Sequence, residues 1–189
     1  DFDMVKKLFE ESPTKRTELK NLKDVIAQKL QQMIQQNPLR IDFHNRYTEI
    51  IDEYNRGKDR VTVEKTFEDL INLVNSMSEE EQRVKREGLT EEQAAVFDLL
   101  LKPKLDTKEK NKVKQVAIDL LAELKKEPLK VEHWSDKTTA AAAVRNIINM
   151  YLFQHLPDPY DETEIQNKTV QLYNHFKDSY FGNGESVYA

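Results

Sequence analysis

Apolar residues recur three or four positions apart along most of this chain, in runs separated by glycine and proline. The breakers are Pro13, Pro38, Gly57, Gly88, Pro103, Pro128, Pro157 with Pro159, and Gly182 with Gly184. A helix accepts proline in its first turn and glycine just past its end, and neither well inside. The breakers therefore mark boundaries, and the gaps between them predict helices. The expected fold class is all-α, a bundle of about seven or eight amphipathic helices.

Asp1–Glu11 sets Phe2, Val5, Leu8 and Phe9 on one helical face. Ser12 and Pro13 read as an N-cap and a first-position proline, opening a helix over Thr14–Gln36. Its stripe is Leu19, Leu22, Ile26, Leu30, Met33 and Ile34. At ~1.5 Å per residue it would be roughly 35 Å long. Leu39–Arg56 presents Ile41, Tyr47, Ile50, Ile51 and Tyr54, with Gly57 as its stop. Val61–Met77 follows with Val63, Phe67, Leu70, Ile71, Val74 and Met77. Ser78 with Glu81 has the spacing of a capping box and predicts a re-started helix. Thr90 with Gln93 predicts another box ahead of Glu91–Leu101, and Asp106 with Glu109 a third ahead of Lys108–Lys126. That last helix has the cleanest stripe: Val113, Val116, Ala117, Leu120, Leu121 and Leu124. Ser135 is placed to cap Asp136–Gln154, whose run Ala140–Ala143 lets a neighbour approach closely. Asp161 and Glu164 cap Thr163–Tyr180. The expected organisation is a single helical domain over 1–181 and a tail over 182–189, flexible or docked through Tyr188.

Composition narrows the class. Charged residues are 33% and hydrophobic residues 38%, which suits helices with one buried stripe each. A net charge of -5 argues against a dedicated duplex-DNA binder, though not against a local basic patch. Cysteine is absent, so neither a disulfide framework nor a thiolate metal site can form, which fits a cytoplasmic location. No apolar run approaches the ~18 residues of a membrane span, so no membrane partner is expected. The chain begins at Asp1 without methionine and reads as a piece of a larger protein.

Signatures of catalysis are missing. No glycine-rich phosphate loop occurs. Glu49-Ile50-Ile51-Asp52-Glu53 is acidic after only two apolar residues and lies in a helix-periodic stretch, unlike the buried strand of an ATPase acidic pair. Pro157-Asp158 is not followed by the acidic-x-Lys triplet a PD-(D/E)xK nuclease needs. His44, His133, His155 and His175 include no pair at zinc-helix spacing, although His155 and His175 could meet across the last two helices. Glu79–Glu81 and Glu91-Glu92 read as first-turn helix charges. Catalytic, cofactor-binding and metal-binding residues are therefore expected to be absent from this stretch.

Two features lean towards binding. Thr14–Gln36 holds Lys15, Arg16, Lys20, Lys23 and Lys29 against Glu18 and Asp24, whereas Asp158–Ala189 is acidic. These parts could attract each other; alternatively Lys15, Arg16, Lys20 and Lys23 touch nucleic-acid phosphates or an acidic partner. Trp134, the only tryptophan, is either a buried wedge or a partner anchor.

Several blocks in order resemble the C-terminal helical region of the R (restriction) subunit of type I restriction endonucleases. They are SPTKRTELKNLKDVIAQKLQQMIQQNPLRIDFHNRYTEIIDEYNRG, EEEQRVKREGLTEEQAAVFDLLLKP, KVKQVAIDLLAELKK, HWSDKTTAAAAVRNII and LPDPYDE. Each block alone is weak; their joint order and spacing are specific. The resemblance implies a parent with a nuclease and an ATP- and Mg-dependent translocase, neither of whose motifs falls within these residues. It implies as partners the modification (methyltransferase) and specificity subunits and the rest of the R subunit. The expected role is docking and scaffolding. The rivals are a module contacting duplex DNA at the motor exit and a free-standing helical adaptor.

Overall fold

A computed structural model of the chain describes residues 2–57 and 60–189. The side chains of residues 2, 3 and 60 are not described, so the stripe position Phe2 lies outside the described residues. Among the described residues there are eight α-helices, short 3-10 turns and one hairpin, so the fold is all-α. No helix among them is long and apolar enough to cross a membrane. The chain divides into two compact units, Asp1–Ile34 with Arg40–Glu87, and Gln35–Leu39 with Gly88–Ala189.

The first unit contains α1 (Phe2–Glu11), α2 (Lys15–Gln36, to Ile34), α3 (Ile41–Gly57) and α4 (Arg60–Arg86). Its core is Phe9 from α1, Leu19, Ile26, Leu30 and Met33 from α2, and Val63, Phe67, Leu70, Leu73 and Met77 from α4. The rings of Phe9 and Phe67 stack with centroids 3.7 Å apart, fastening α1 to α4. α3 packs along α4 but lies shallow: Phe43, Tyr47, Ile50 and Tyr54 are only partly buried, and Ile41 faces solvent. Ser12 does not cap α2. Its hydroxyl accepts from the Thr14 amide at 3.1 Å, and the Thr14 carbonyl starts the helix by accepting from Glu18.

One expected boundary is wrong. α4 runs through Ser78 without a break, so Ser78 and Glu81 are not a capping box. The cause is the stripe: Leu70, Leu73, Met77 and Val84 are all buried, and continuing the helix keeps Val84 on the covered face. Glu81 instead pairs with Lys29, and Glu80 with Arg40. α4 stops at Gly88, whose φ of +69° is the left-handed value that ends a helix.

The second unit is built from α5 (Glu91–Leu100), α6 (Thr107–Lys126), α7 (Thr138–His155) and α8 (Glu162–Ser179). α5 packs on α6, and α7 on α8. The boxes at Thr90/Gln93, Asp106/Glu109 and Asp161/Glu164 all form. All six expected stripe residues of α6 are buried. Ser135 does not cap α7; it lies in a 3-10 turn over Trp134–Asp136, and α7 starts after Lys137 without a side-chain cap.

The C-terminal decapeptide folds back. β1 (Tyr180–Gly182) and β2 (Glu185–Ser186) pair antiparallel around Asn183-Gly184, whose φ values of +53° and +83° suit a primed hairpin turn. Of the two expectations for this segment, docking through Tyr188 is the one that forms: its hydroxyl donates to the Gln36 carbonyl at 2.5 Å.

Candidate functional site

The basic residues of α2 fall on two faces. Lys15 is engaged in its own unit, donating to Glu64 at 3.1 Å with its ammonium 5.5 Å from the Phe9 ring centre. Lys23 is partly buried, 4.8 Å from the centre of the Tyr54 ring, and its carbonyl accepts the Tyr47 hydroxyl at 3.1 Å. Burial pushes the Tyr47 hydroxyl pKa up, with the Asp24 charge adding to it. Arg16 and Lys20, one turn apart, are exposed. Of the four candidates, Lys15 and Lys23 brace neighbouring helices, and Arg16 and Lys20 are exposed.

Trp134 is a wedge. It is fully buried, its indole N–H donates to the Tyr180 carbonyl at 2.9 Å, and the Tyr173 ring meets it edge-on at 5.7 Å. It offers no surface to a partner, because the hairpin after α8 closes over it. The His133 amide donates to the Phe181 carbonyl at 3.1 Å, and the Asn183 amide to the Lys130 carbonyl at 3.0 Å. Gly182 makes this approach possible, since a Cβ there would lie 2.4 Å from the Val131 carbonyl oxygen.

The LPDPYDE segment is explained by the C-terminal end of α5. A helix leaves its last carbonyls unpartnered, and here side chains satisfy them. Tyr160 donates to Leu100 at 2.8 Å, and Lys168 donates to Leu99 at 2.7 Å and Leu101 at 3.1 Å. Lys102 holds the Glu164 carboxylate at 2.6 and 2.7 Å. Burial raises the Tyr160 pKa strongly and lowers that of Lys168, whose charge Glu164 partly supports. These groups tie the α5 end to α8 and its lead-in.

Residues 1–178 match the family described as type I restriction enzyme HindI endonuclease subunit-like, C-terminal. The chain belongs to that family. It is 26% identical over 155 residues to the type I restriction enzyme MjaIXP endonuclease subunit of Methanocaldococcus jannaschii, covering 81% of this chain. The chain spans 14% of that relative's length. No solved structure matches it.

In this member of the family, one buried charge lies outside every apolar stripe. Arg40 is 3% exposed, and its Nε donates to Glu80 at 3.2 Å, while Arg83 grips the same carboxylate through two nitrogens at 2.8 Å. Burial pushes the Glu80 carboxyl up, but the hydrogen bonds and charges of Arg83 and Arg40 outweigh it and leave the pKa lowered. Arg40 follows Pro38 in a 3-10 turn, a spacing that periodicity does not register. Among the described residues, no group of three or more His, Cys, Asp or Glu could hold a metal ion. His155 and His175 have different neighbours: the first is exposed beside Tyr151, the second buried against Tyr188.

Proposed function

We propose that this region is the helical docking and scaffold module of a type I restriction enzyme endonuclease subunit. It links an ATP- and Mg-dependent DNA translocase and nuclease, carried elsewhere in the subunit, to the methyltransferase core of modification and specificity subunits in the cytoplasm. The two compact units serve this role as one functional domain. One observation carries the proposal: in a chain that belongs to a family of C-terminal regions, the buried polar groups are used to hold helices together. A pull-down tests it. The region should be retained by the modification and specificity subunits; no retention at micromolar concentrations contradicts docking.

The second reading is contact with duplex DNA, favoured by the exposed pair Arg16 and Lys20. It requires binding to nonspecific duplex that falls steeply with salt and weakens on Lys15→Glu, Arg16→Glu and Lys20→Glu. Negligible binding at low salt removes it.

A further inference from the structure

We infer that the solvent face of α7 is a docking surface for an apolar helix of another subunit of the restriction assembly; this rests on the docking role proposed above and names the surface that performs it. α7 has 18 residues and a single arginine or lysine, Arg145, with no Asp or Glu. α6, in the same unit, carries nine such charges in 20 residues. Yet α7 is not enclosed. Thr139, Ala142, Ala143, Asn146, Met150 and Phe153 fall on one side of the helix and are all exposed, with Met150 at 60% and Phe153 at 66%. An uncharged stripe that ends in exposed methionine and phenylalanine side chains is normally covered. Charge depletion with exposed methionine and aromatic side chains is the composition of an interface centre.

The shape and charge of the face select its occupant. At its N-terminal end a groove of about 730 Å³ runs over Pro128, Val131, Thr139, Ala140 and Ala143. Alanines there let another backbone come close, as in tight helix pairs. The groove's charged lining is Lys137 and Glu127, of opposite sign, and from Thr138 to His155 the only lysine or arginine is Arg145, so a run of phosphates finds too few cations along the face. A second copy fits poorly too. Arg145 flanks the stripe near the midpoint of α7, so an antiparallel twofold pairing centred on the stripe would set two guanidinium groups on the same flank with no acid on either helix. Among the described residues Arg145 makes no ion pair. The complementary partner is a helix with an apolar stripe and a carboxylate on the flank of that stripe near its middle, and the family is one of endonuclease subunits, each one component of an assembly.

The test uses the full-length endonuclease subunit and the purified core of modification and specificity subunits. Met150→Glu with Phe153→Glu should weaken binding at least tenfold, and Arg145→Glu severalfold, with helix content unchanged. Hydroxyl-radical labelling of wild-type Met150 and Phe153 should fall severalfold when the core is added, a readout independent of any variant's folding. Wild-type binding with unchanged labelling and an unaffected double variant overturns this surface while leaving docking intact. No wild-type binding overturns docking and this surface together. A subunit dimer that the double variant dissociates, with core binding unaltered, assigns the face to a second copy and overturns the inference.

Discussion

His175 and Tyr188 are joined by a hydrogen bond of 2.9 Å between Nε2 and the phenolic oxygen. The Tyr188 hydroxyl gives its proton to the Gln36 carbonyl, so it accepts from His175, which fixes the Nε2–H tautomer. Nδ1 is then the acceptor for Ser179, 3.3 Å away. Both ring nitrogens are satisfied in the neutral state, and burial disfavours the charged one.

Acid should loosen this arrangement. Burial lowers the His175 pKa from 6.5 to about 4, partly opposed by Asp178. Above pH 6.5 both folded and unfolded chains carry a neutral ring, and the full contribution is present. As pH falls from 6.5 towards 4 the unfolded chain takes the proton first, so stability is lost, by about 3 kcal/mol in all. Urea unfolding at stepped pH should show this slope, and His175→Gln should flatten it. An unchanged slope in the variant counts against the assignment.

Removing the Tyr160 hydroxyl isolates one cap on α5. Tyr160→Phe leaves the ring in place and the Leu100 carbonyl without its donor. Stability should drop by about 1–2 kcal/mol with helix content retained. The urea midpoint by circular dichroism checks it; no shift would mean the carbonyl finds another partner.

Trp134 is the only tryptophan, so its fluorescence reports the second unit alone. Folded protein should emit at short wavelength and resist quenching by iodide. Trp134→Ala should cost about 3–5 kcal/mol from the cavity and the lost bond to Tyr180. Easily quenched, red-shifted emission from folded protein would contradict the buried wedge.

Gly182 and Gly184 should differ although both have positive φ. An added methyl at Gly184 meets nothing within 4 Å, so Gly184→Ala costs only the conformational strain of about 1–2 kcal/mol. At Gly182 the methyl would strike the Val131 carbonyl and the Glu132 backbone, so the hairpin must lift from the 3-10 turns. Gly182→Ala should destabilise clearly more and increase iodide access to Trp134. Equal midpoints for the two variants would refute this packing.

Much of the fold could be read from the sequence because its signals are local. The boxes at Thr90, Asp106 and Asp161 need only residues three apart, and each is preceded by a helix end. The box at Ser78 failed because the same local pattern met a stripe that continued to Val84. Asn183-Gly184 was a visible hairpin signal, hidden by strands of only three and two residues. The bond from Tyr188 to Gln36 joins positions 152 apart, and no periodicity encodes it. The same limit applies to the candidate site: spacing does not show that Lys15 meets Glu64 and Lys23 the Tyr54 ring, whereas Arg16 and Lys20 lie exposed. Spacing also made α7 look like an ordinary core helix, since the uncovered side of Met150 and Phe153 depends on what fails to pack there.

The docking role is tested most directly by equilibrium competition. Labelled full-length endonuclease subunit is bound to the methyltransferase core, and this 189-residue region is titrated in while anisotropy is followed. Progressive release of the labelled subunit, to completion at saturation, is the predicted result. Anisotropy that stays constant through a large molar excess of folded competitor would contradict it.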